Sequence, residues 1–180
     1  MKSSTNNLRT WAEGAIMVAL AVVLNFFKID LGPEGGSVNL VLIPLVLYSI
    51  RWGCPYGIAA GLVFGTLKAM IGGGIGYGWQ SLLLDYSVAF GLVGLSGLSE
   101  KAVPASVIGA AGCLLSFVLS GVLVWGEYLP ETFWGLPMAN IWIYSLIYNG
   151  SFVLCNAIVC AVVLSILART TGLVSRQKKA

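Results

Sequence analysis

The chain has 180 residues, of which 58% are hydrophobic and only 9% are charged. A water-soluble domain carries about 25% charged residues, so this chain has too few to cover a solvent-facing surface. Disordered tails and nucleic-acid-binding domains are excluded as well, because both need dense charge. The composition predicts an all-α integral membrane protein, and we expect residues 1–180 to form a single domain.

Enzymatic chemistry has little support in the sequence. Histidine is absent, and the four cysteines form no CxxC pair. The commonest general base and the commonest transition-metal ligand are therefore missing. An intramembrane aspartyl protease would need two membrane acids, and no G-x-x-x-x-G-K-[ST] motif for ATP is present. We expect a protein that is not an enzyme and that holds no cofactor or metal.

Six apolar segments are candidates for membrane-spanning helices, each near the roughly 20 residues that a bilayer requires. They are uninterrupted runs and lack the alternation of barrel strands, so they predict helices. The second segment is short for a span. The predicted spans are Thr10–Phe27, Val38–Ile50, Pro55–Ile71, Leu82–Leu98, Ala105–Trp125 and Ile141–Ala168.

The basic residues predict how the chain is oriented. With six spans, eight of the ten basic residues fall on the side that holds both termini. The positive-inside rule then places both termini in the cytoplasm. Of the other two, Lys28 lies on the outer side and Lys68 lies within a span. The eight inner residues are Lys2, Arg9, Arg51, Lys101, Arg169, Arg176, Lys178 and Lys179.

Small residues recur at the spacing that allows helices to approach closely in lipid. Gly57, Gly61 and Gly65 lie one helical turn apart in the third span, and Gly91 and Gly94 lie in the fourth. These glycines predict packing within the chain. Ala15 and Ala19 form a similar pair in the first span, and we expect that pair either to pack within the chain or to face another protein.

Two charges lie in the membrane, where each costs about 2.5–3.5 kcal/mol on insertion scales. Asp85 is near the start of the fourth span, and Lys68 is near the outer end of the third. Two interpretations are open. The residues form a mutual ion pair, or they line a polar pocket in which Asp85 awaits a cationic or hydrogen-bond-donating ligand.

Aromatic residues gather at the predicted outer side, and they outnumber those at the inner side. An interfacial belt explains most of them. Stacked rings beside a buried carboxylate are also how proteins hold flat cations. The amides of Asn39 and Asn149 would add hydrogen bonds. The pattern suits a flat, nitrogen-rich small molecule, neutral or cationic, that enters from outside.

Several motifs resemble the thiamine-specific ThiT (YuaJ) substrate-binding subunits of energy-coupling factor (ECF) transporters. The resemblance extends from Ala15 to Asn149, and its most specific parts are Asp85-Tyr86 and the Tyr-Ser-x-x-x-Asn pattern. The matching stretches are Gly35-Gly36-Ser37-Val38, Ile43-Pro44, Arg51-Trp52-Gly53, Gln80 through Phe90 and Ile143 through Asn149.

The resemblance implies a bundle of six transmembrane helices in a prokaryotic plasma membrane that binds vitamin from outside. Its implied partners are a transmembrane coupling protein, the T component, and two ATPases, with no nucleic acid. Asp85 would face the cationic ligand, Asn149 would hydrogen-bond it, and Ala15 and Ala19 would dock on the coupling protein. The rings of Tyr86, Trp125 and Tyr144 would flank the ligand, and the further candidate binding residues are Gly36, Ser37, Lys68, Tyr77, Gln80 and Phe117.

Three positions depart from the family pattern and keep alternatives open. Phe117 stands where a histidine is common, Gly35 where some members have tryptophan, and Lys68 where a polar uncharged residue is expected. A neutral pyrimidine precursor, or a phosphorylated form that uses Lys68, is an alternative ligand. A solitary carrier in which Asp85 exchanges protons, and a membrane enzyme or structural protein, are the alternative classes.

Overall fold

The computed structural model describes residues 2–30 and 36–177, with side chains from residue 7 onward, so Gly35, Lys178 and Lys179 lie outside the described residues. Six helices within these ranges form a bundle, as the sequence predicts. We number them α1 (Lys2–Asn25), α2 (Leu42–Trp52), α3 (Cys54–Ile71), α4 (Trp79–Leu98), α5 (Ala102–Leu123) and α6 (Ile141–Thr170).

Five of these helices are long and apolar enough to cross a membrane, and α2, with 11 residues, is the exception. The expectation of a helical span over Val38–Ile50 is therefore wrong in its first part. That part belongs to an antiparallel hairpin of β1 (Lys28–Asp30) and β2 (Ser37–Asn39), in which Ile29 pairs with Val38. The second predicted span therefore consists of a strand followed by a short helix.

The short helix α2 lies inside the bundle, where lipid does not reach it. Leu45, Val46 and Ile50 are almost completely buried. The Asn39 side chain accepts a hydrogen bond from Val41 N at 3.1 Å, just before the start of α2. Irregular backbone is tolerated at membrane depth only where protein or a cavity covers it, which is the situation here.

Helices α3 and α4 pack with their backbones in contact. A Cβ added to Gly61 would clash with the backbone of Phe90, and one added to Gly65 would clash with the backbone of Tyr86. Glycine therefore sets how closely these helices approach. The expectation that these glycines serve packing within the chain is confirmed by these contacts.

Basic side chains tie both ends of the chain to one end of the bundle, which we call the basic end. Arg51, at the end of α2, forms an ion pair with Glu13 of α1. Its guanidinium also donates to Leu173 O at 2.7 Å, beyond the end of α6. Arg176 donates to Gly97 O at the end of α4. These contacts group two of the predicted inner cations, Arg51 and Arg176, at one end of the bundle. The side of the membrane that this end faces stays a prediction.

The close approach of α3 and α4 predicts a large effect of a single methyl group. Gly61→Ala should lower the apparent unfolding temperature in detergent by about 5 °C or more, because the new Cβ meets backbone that cannot move aside. Gly150→Ala is the matched control, since nothing lies within 4 Å of an added Cβ there. Thermal unfolding followed by tryptophan fluorescence measures both, and equal unfolding temperatures would contradict the packing argument.

Candidate ligand-binding site

A cavity of about 940 Å³ lies at the end of the bundle opposite the basic end. All six helices contribute to its wall, together with the β1–β2 hairpin and the segment that follows α5. Tyr77 and Tyr128 are strongly exposed at its rim, so the cavity opens to the exterior at this end. Its size and mixed polar and aromatic lining suit a small organic ligand.

One face of α6 forms the longest wall. Residues four apart lie on the same side of a helix, so Tyr144, Tyr148, Phe152 and Asn156 form one row. The row spans 12 residues, or about 18 Å at 1.5 Å per residue. Ser145, Asn149 and Val153 line the cavity beside it. The cavity therefore reaches deep into the bundle.

The facing wall comes from α4, whose second turn is a π-helix over Leu82–Ser87. Such a wide turn removes backbone groups from the regular helical hydrogen-bond pattern. Here Ser116 of α5 donates to Leu84 O at 2.6 Å and supplies a partner. Asp85 and Tyr86 both lie in this turn and both line the cavity. The π-helix thus presents two adjacent residues to the same space.

Asp85 is held in place by two donors. Ser81 Oγ donates to Asp85 Oδ2 at 2.7 Å, and Trp125 Nε1 donates to the same oxygen at 3.0 Å. Among the described residues, Oδ1 accepts no hydrogen bond. The carboxylate is therefore fixed in orientation and still has one oxygen available for a ligand.

Lys68 does not pair with Asp85. Its Nζ lies over the Phe90 ring, 4.6 Å from the centroid. The ion pairs of the described residues do not include Lys68. Of the two interpretations of these membrane charges, the mutual ion pair is thus wrong, because each charge has found a different partner. Both still line the same cavity.

Aromatic rings at this end form two groups of ring contacts, one around Trp125 and one along α6. Trp125 packs edge-on against Tyr77 at 5.5 Å between centroids, and it contacts Tyr128 at 5.8 Å. Tyr144 and Tyr148 stack at 5.8 Å. Other outer aromatics, such as Trp79, are exposed on the outside of the bundle. The aromatic residues at this end therefore form two sets, one that lines the cavity and one that is exposed on the outside of the bundle.

Local packing positions Tyr86. A Cβ on Gly74 would lie 2.6 Å from Tyr86 Cε2, so the ring packs directly on the glycine turn that precedes α4. That turn is a short 3-10 helix, Gly74–Tyr77. The glycine-rich run after α3 therefore acts as a platform for a cavity residue.

Asn149 uses its amide donors inside the protein. Its Nδ2 donates to Ser145 O at 2.9 Å and to Ser145 Oγ at 3.1 Å. The Asn149 Oδ1 atom accepts no hydrogen bond from the described residues. The side chain thus presents an oriented acceptor at the cavity wall.

Nine of the eleven residues predicted to bind ligand line the cavity, and Gly36 and Gln80 do not. Gly36 is buried against Phe152, whose Cδ1 would lie 2.7 Å from an added Cβ. Gln80 is exposed on the first turn of α4, outside the cavity. The nine are Ser37, Lys68, Tyr77, Asp85, Tyr86, Phe117, Trp125, Tyr144 and Asn149.

Asn156 was missed in the sequence, and it holds the hairpin to α6. Its Oδ1 accepts from Asn39 N at 2.8 Å, and its Nδ2 donates to Ser37 O at 2.9 Å and Phe152 O at 2.8 Å. The signal that could have found it is helical spacing. Asn156 continues the row of Tyr144, Tyr148 and Phe152 within the most apolar helix, where an amide is costly without partners.

An apolar bundle around a deep cavity lined by aromatic rings and a fixed carboxylate defines a multi-pass membrane protein that takes up a small molecule. A model of the family described as "Thiamine transporter protein (Thia_YuaJ)" matches residues 11–175. The chain therefore belongs to this family of thiamine transporters. The family resemblance and the expectation of a membrane transporter that is not an enzyme are confirmed.

Individual relatives agree with the family match. The thiamine transporter ThiT of Bacillus subtilis (strain 168) is 36% identical, over 93% of this chain and 94% of its own length. ThiT of Lacticaseibacillus paracasei is 32% identical, over 86% of this chain and 84% of its own. The solved structure of ThiT from Listeria monocytogenes superimposes with a TM-score of 0.83 at 25% identity, over 96% of this chain and all of that chain.

The Asn156 contacts predict that one side chain controls the order of the hairpin. Asn156→Leu should leave Asn39 N and Ser37 O without partners and raise amide exchange around β2 by about 10-fold or more. Ser151→Ala is the control, because its hydroxyl donates only to Tyr148 O within α6. Hydrogen–deuterium exchange with mass spectrometry measures this, and unchanged exchange at residues 36–41 would show that Asn156 does not hold the hairpin.

Proposed function

We propose that this chain is the high-affinity thiamine-binding subunit, or S component, of an ATP-driven ECF importer. It captures thiamine from the outer side in the cavity and delivers it together with a coupling module. The observation that carries the proposal is Asp85, a carboxylate on the cavity wall with one oxygen fixed by Ser81 and Trp125. The family of thiamine transporters supports the identity of the ligand.

A fixed carboxylate among aromatic rings suits the chemistry of thiamine, which is a permanent cation. A positive thiazolium gains from a nearby negative charge, and it gains more in a cavity than in bulk water because screening is weaker. Flat rings also attract cations through their faces. Tyr86, Trp125 and Tyr144 line the same cavity as Asp85 and supply those rings.

The aminopyrimidine of thiamine needs hydrogen-bond partners as well as stacking. Asn149 offers an acceptor whose orientation is set by the bonds from its own Nδ2 to Ser145. An amine that donates to this oxygen would satisfy it. A ligand lacking the amine would leave the acceptor unpaired, which costs about 1–3 kcal/mol and gives selectivity.

The energy for thiamine uptake must come from a partner protein, because the sequence holds no P-loop for ATP. Helix α1 offers a docking surface. Ala15 and Ala19 are exposed along it, and the larger neighbours Ile16 and Leu20 are exposed with them. Small residues in a row allow another helix to approach closely in lipid. We assign this face to the T component, which in turn associates with two ATPases.

The role of Asp85 is tested by neutralising it. Asp85→Asn should weaken thiamine binding by about 2–5 kcal/mol, because a charge contact in the cavity is lost while the side-chain shape is kept. Isothermal titration of the detergent-purified chain with thiamine measures the change. Glu127→Gln is the control: Glu127 is exposed at the same end and does not line the cavity. Equal affinities of wild type and Asp85→Asn would remove Asp85 from the site.

The docking surface is tested by adding bulk to it. Ala19→Trp should leave thiamine affinity within about 2-fold of wild type and abolish ATP-dependent uptake, since the wider side chain blocks helix contact. Val162→Trp, at an exposed position on α6, is the control and should keep uptake. Uptake that persists in Ala19→Trp would place the docking surface elsewhere. If uptake also persists in cells depleted of ATP, the chain works as a solitary carrier.

A further inference from the structure

We infer that Ser116 of α5 is a positioning residue for the ligand. Its hydroxyl stabilises the π-helical turn of α4, and that turn brings the Asp85 carboxylate to the cavity together with the Tyr86 ring. Ser116 does not line the cavity itself, so its effect on a ligand has to pass through α4. The inference rests on the proposed function, in which Asp85 faces the thiamine cation.

The residues of α4 that line the cavity form two rows that are shifted by one residue. Ser81 and Asp85 are four residues apart, and so are Tyr86 and Phe90. Residues four apart share a face of a regular α-helix, so the first row would continue from Asp85 to Ala89. Ala89 is fully buried and is not part of the cavity wall. One extra residue in the turn has therefore shifted the row from Asp85 to Tyr86.

The π-helix Leu82–Ser87 accommodates this extra residue. At its end, Val88 N donates to Leu83 O, five residues earlier in the chain. In a regular α-helix, Val88 N would instead donate to the carbonyl four residues earlier, which is that of Leu84. Ser116 Oγ donates to this same Leu84 O at 2.6 Å. Ser116 thus supplies the hydrogen bond that the wide turn removes from the helix.

Helix α3 fixes the part of α4 that follows the turn. A Cβ on Gly65 would clash with the carbonyl of Tyr86, and one on Gly61 would clash with the carbonyl of Phe90. This part of α4 cannot rotate without losing its close contact with α3. If the turn closed to a regular α-helix, the residues before Tyr86 would rotate instead, by about 100°, the angle between successive residues. Asp85 is among the residues that would turn away from the cavity.

Loss of the Ser116 hydroxyl favours that closed form. Ser116 is 1% exposed, so water does not readily take the place of its hydroxyl. A carbonyl without a partner in such surroundings is unfavourable. Closing the turn would pair Leu84 O with Val88 N and remove this cost. Without the hydroxyl, the equilibrium therefore shifts toward a turn in which Asp85 no longer faces the ligand.

Ser120 provides a matched comparison on the same helix. It lies one turn after Ser116 and is also fully buried. Its hydroxyl has no hydrogen-bond partner among the described residues. Ser120→Ala therefore removes the same atom from α5 without removing a hydrogen bond to α4.

The first test is a double-mutant cycle measured by thiamine binding. The detergent-purified full chain is titrated with thiamine as wild type, Ser116→Ala, Asp85→Asn and the double variant. We expect Ser116→Ala to weaken binding by about 10-fold, Ser116→Thr to restore it to within about 3-fold, and Ser120→Ala to stay within about 2-fold of wild type. In the Asp85→Asn background, Ser116→Ala should change the affinity by less than about 2-fold, because the carboxylate that it positions is gone.

Deletion of Leu84 tests the same geometry without ligand as well as with it. The deletion makes the step from Val88 N to Leu83 O four residues long, and it removes the carbonyl that Ser116 contacts. Thiamine binding should weaken by about 30-fold or more, because Asp85 leaves the cavity row. Ser116→Ala should lower the unfolding temperature of the full chain by about 3 °C and leave that of the deletion variant unchanged.

The outcomes separate the inference from the proposed function. Wild-type thiamine affinity in Ser116→Ala overturns the inference and leaves thiamine binding intact. Equal losses with and without the Asp85 carboxylate make Ser116 a structural residue only, and so overturn it too. An equal drop in unfolding temperature with and without Leu84 shows that Ser116 does not stabilise the turn, which also overturns it. Failure of wild type to bind thiamine overturns the proposed function and, with it, the assignment of Ser116 to ligand positioning.

Discussion

The hydrogen bonds of one amide, Asn156, make the rest of this architecture possible. Backbone groups within a bilayer must find partners in the protein, and helices meet that need by themselves. The β1–β2 hairpin and the π-helix of α4 are two of the places beside the cavity where the chain departs from regular α-helix. Asn156 supplies partners for the first and Ser116 for the second. These two side chains satisfy backbone groups beside the cavity that lie outside regular α-helix.

The electrostatics of the site depend on the small number of charged groups in the chain. With only 9% charged residues in the chain, each charge inside the bundle has a strong local effect. Glu13 and Arg51 neutralise one another at the basic end. Asp85 and Lys68 could have done so at the other end, yet Asp85 is held by Ser81 and Trp125 while Lys68 rests over Phe90. Because the two charges are kept apart, the Asp85 carboxylate stays able to meet a cationic ligand.

The sequence predicts much of this, and the failures share a physical cause. Hydropathy and charge locate the six helices, and the cost of a charge in lipid identifies Asp85 and Lys68 as cavity residues. The strand at Ser37–Asn39 is not predicted from the sequence, because a partner 117 residues away in sequence satisfies its backbone. The π-helix is not predicted for a similar reason, since the hydrogen-bond partner of Leu84 O is Ser116, 32 residues away in sequence. Local patterns report composition and spacing, whereas these features depend on contacts that only the folded bundle creates.

Helix α1 links the two proposed activities of the chain. Its exposed face carries Ala15 and Ala19, its end contributes Asn25 to the cavity, and Glu13 joins it to Arg51 at the basic end. Tyr48 of α2 donates to Thr10 O at 3.0 Å and packs where a Cβ on Gly14 would lie 2.6 Å from its hydroxyl. In the proposed importer, the helix that meets the coupling protein is therefore also part of the cavity wall.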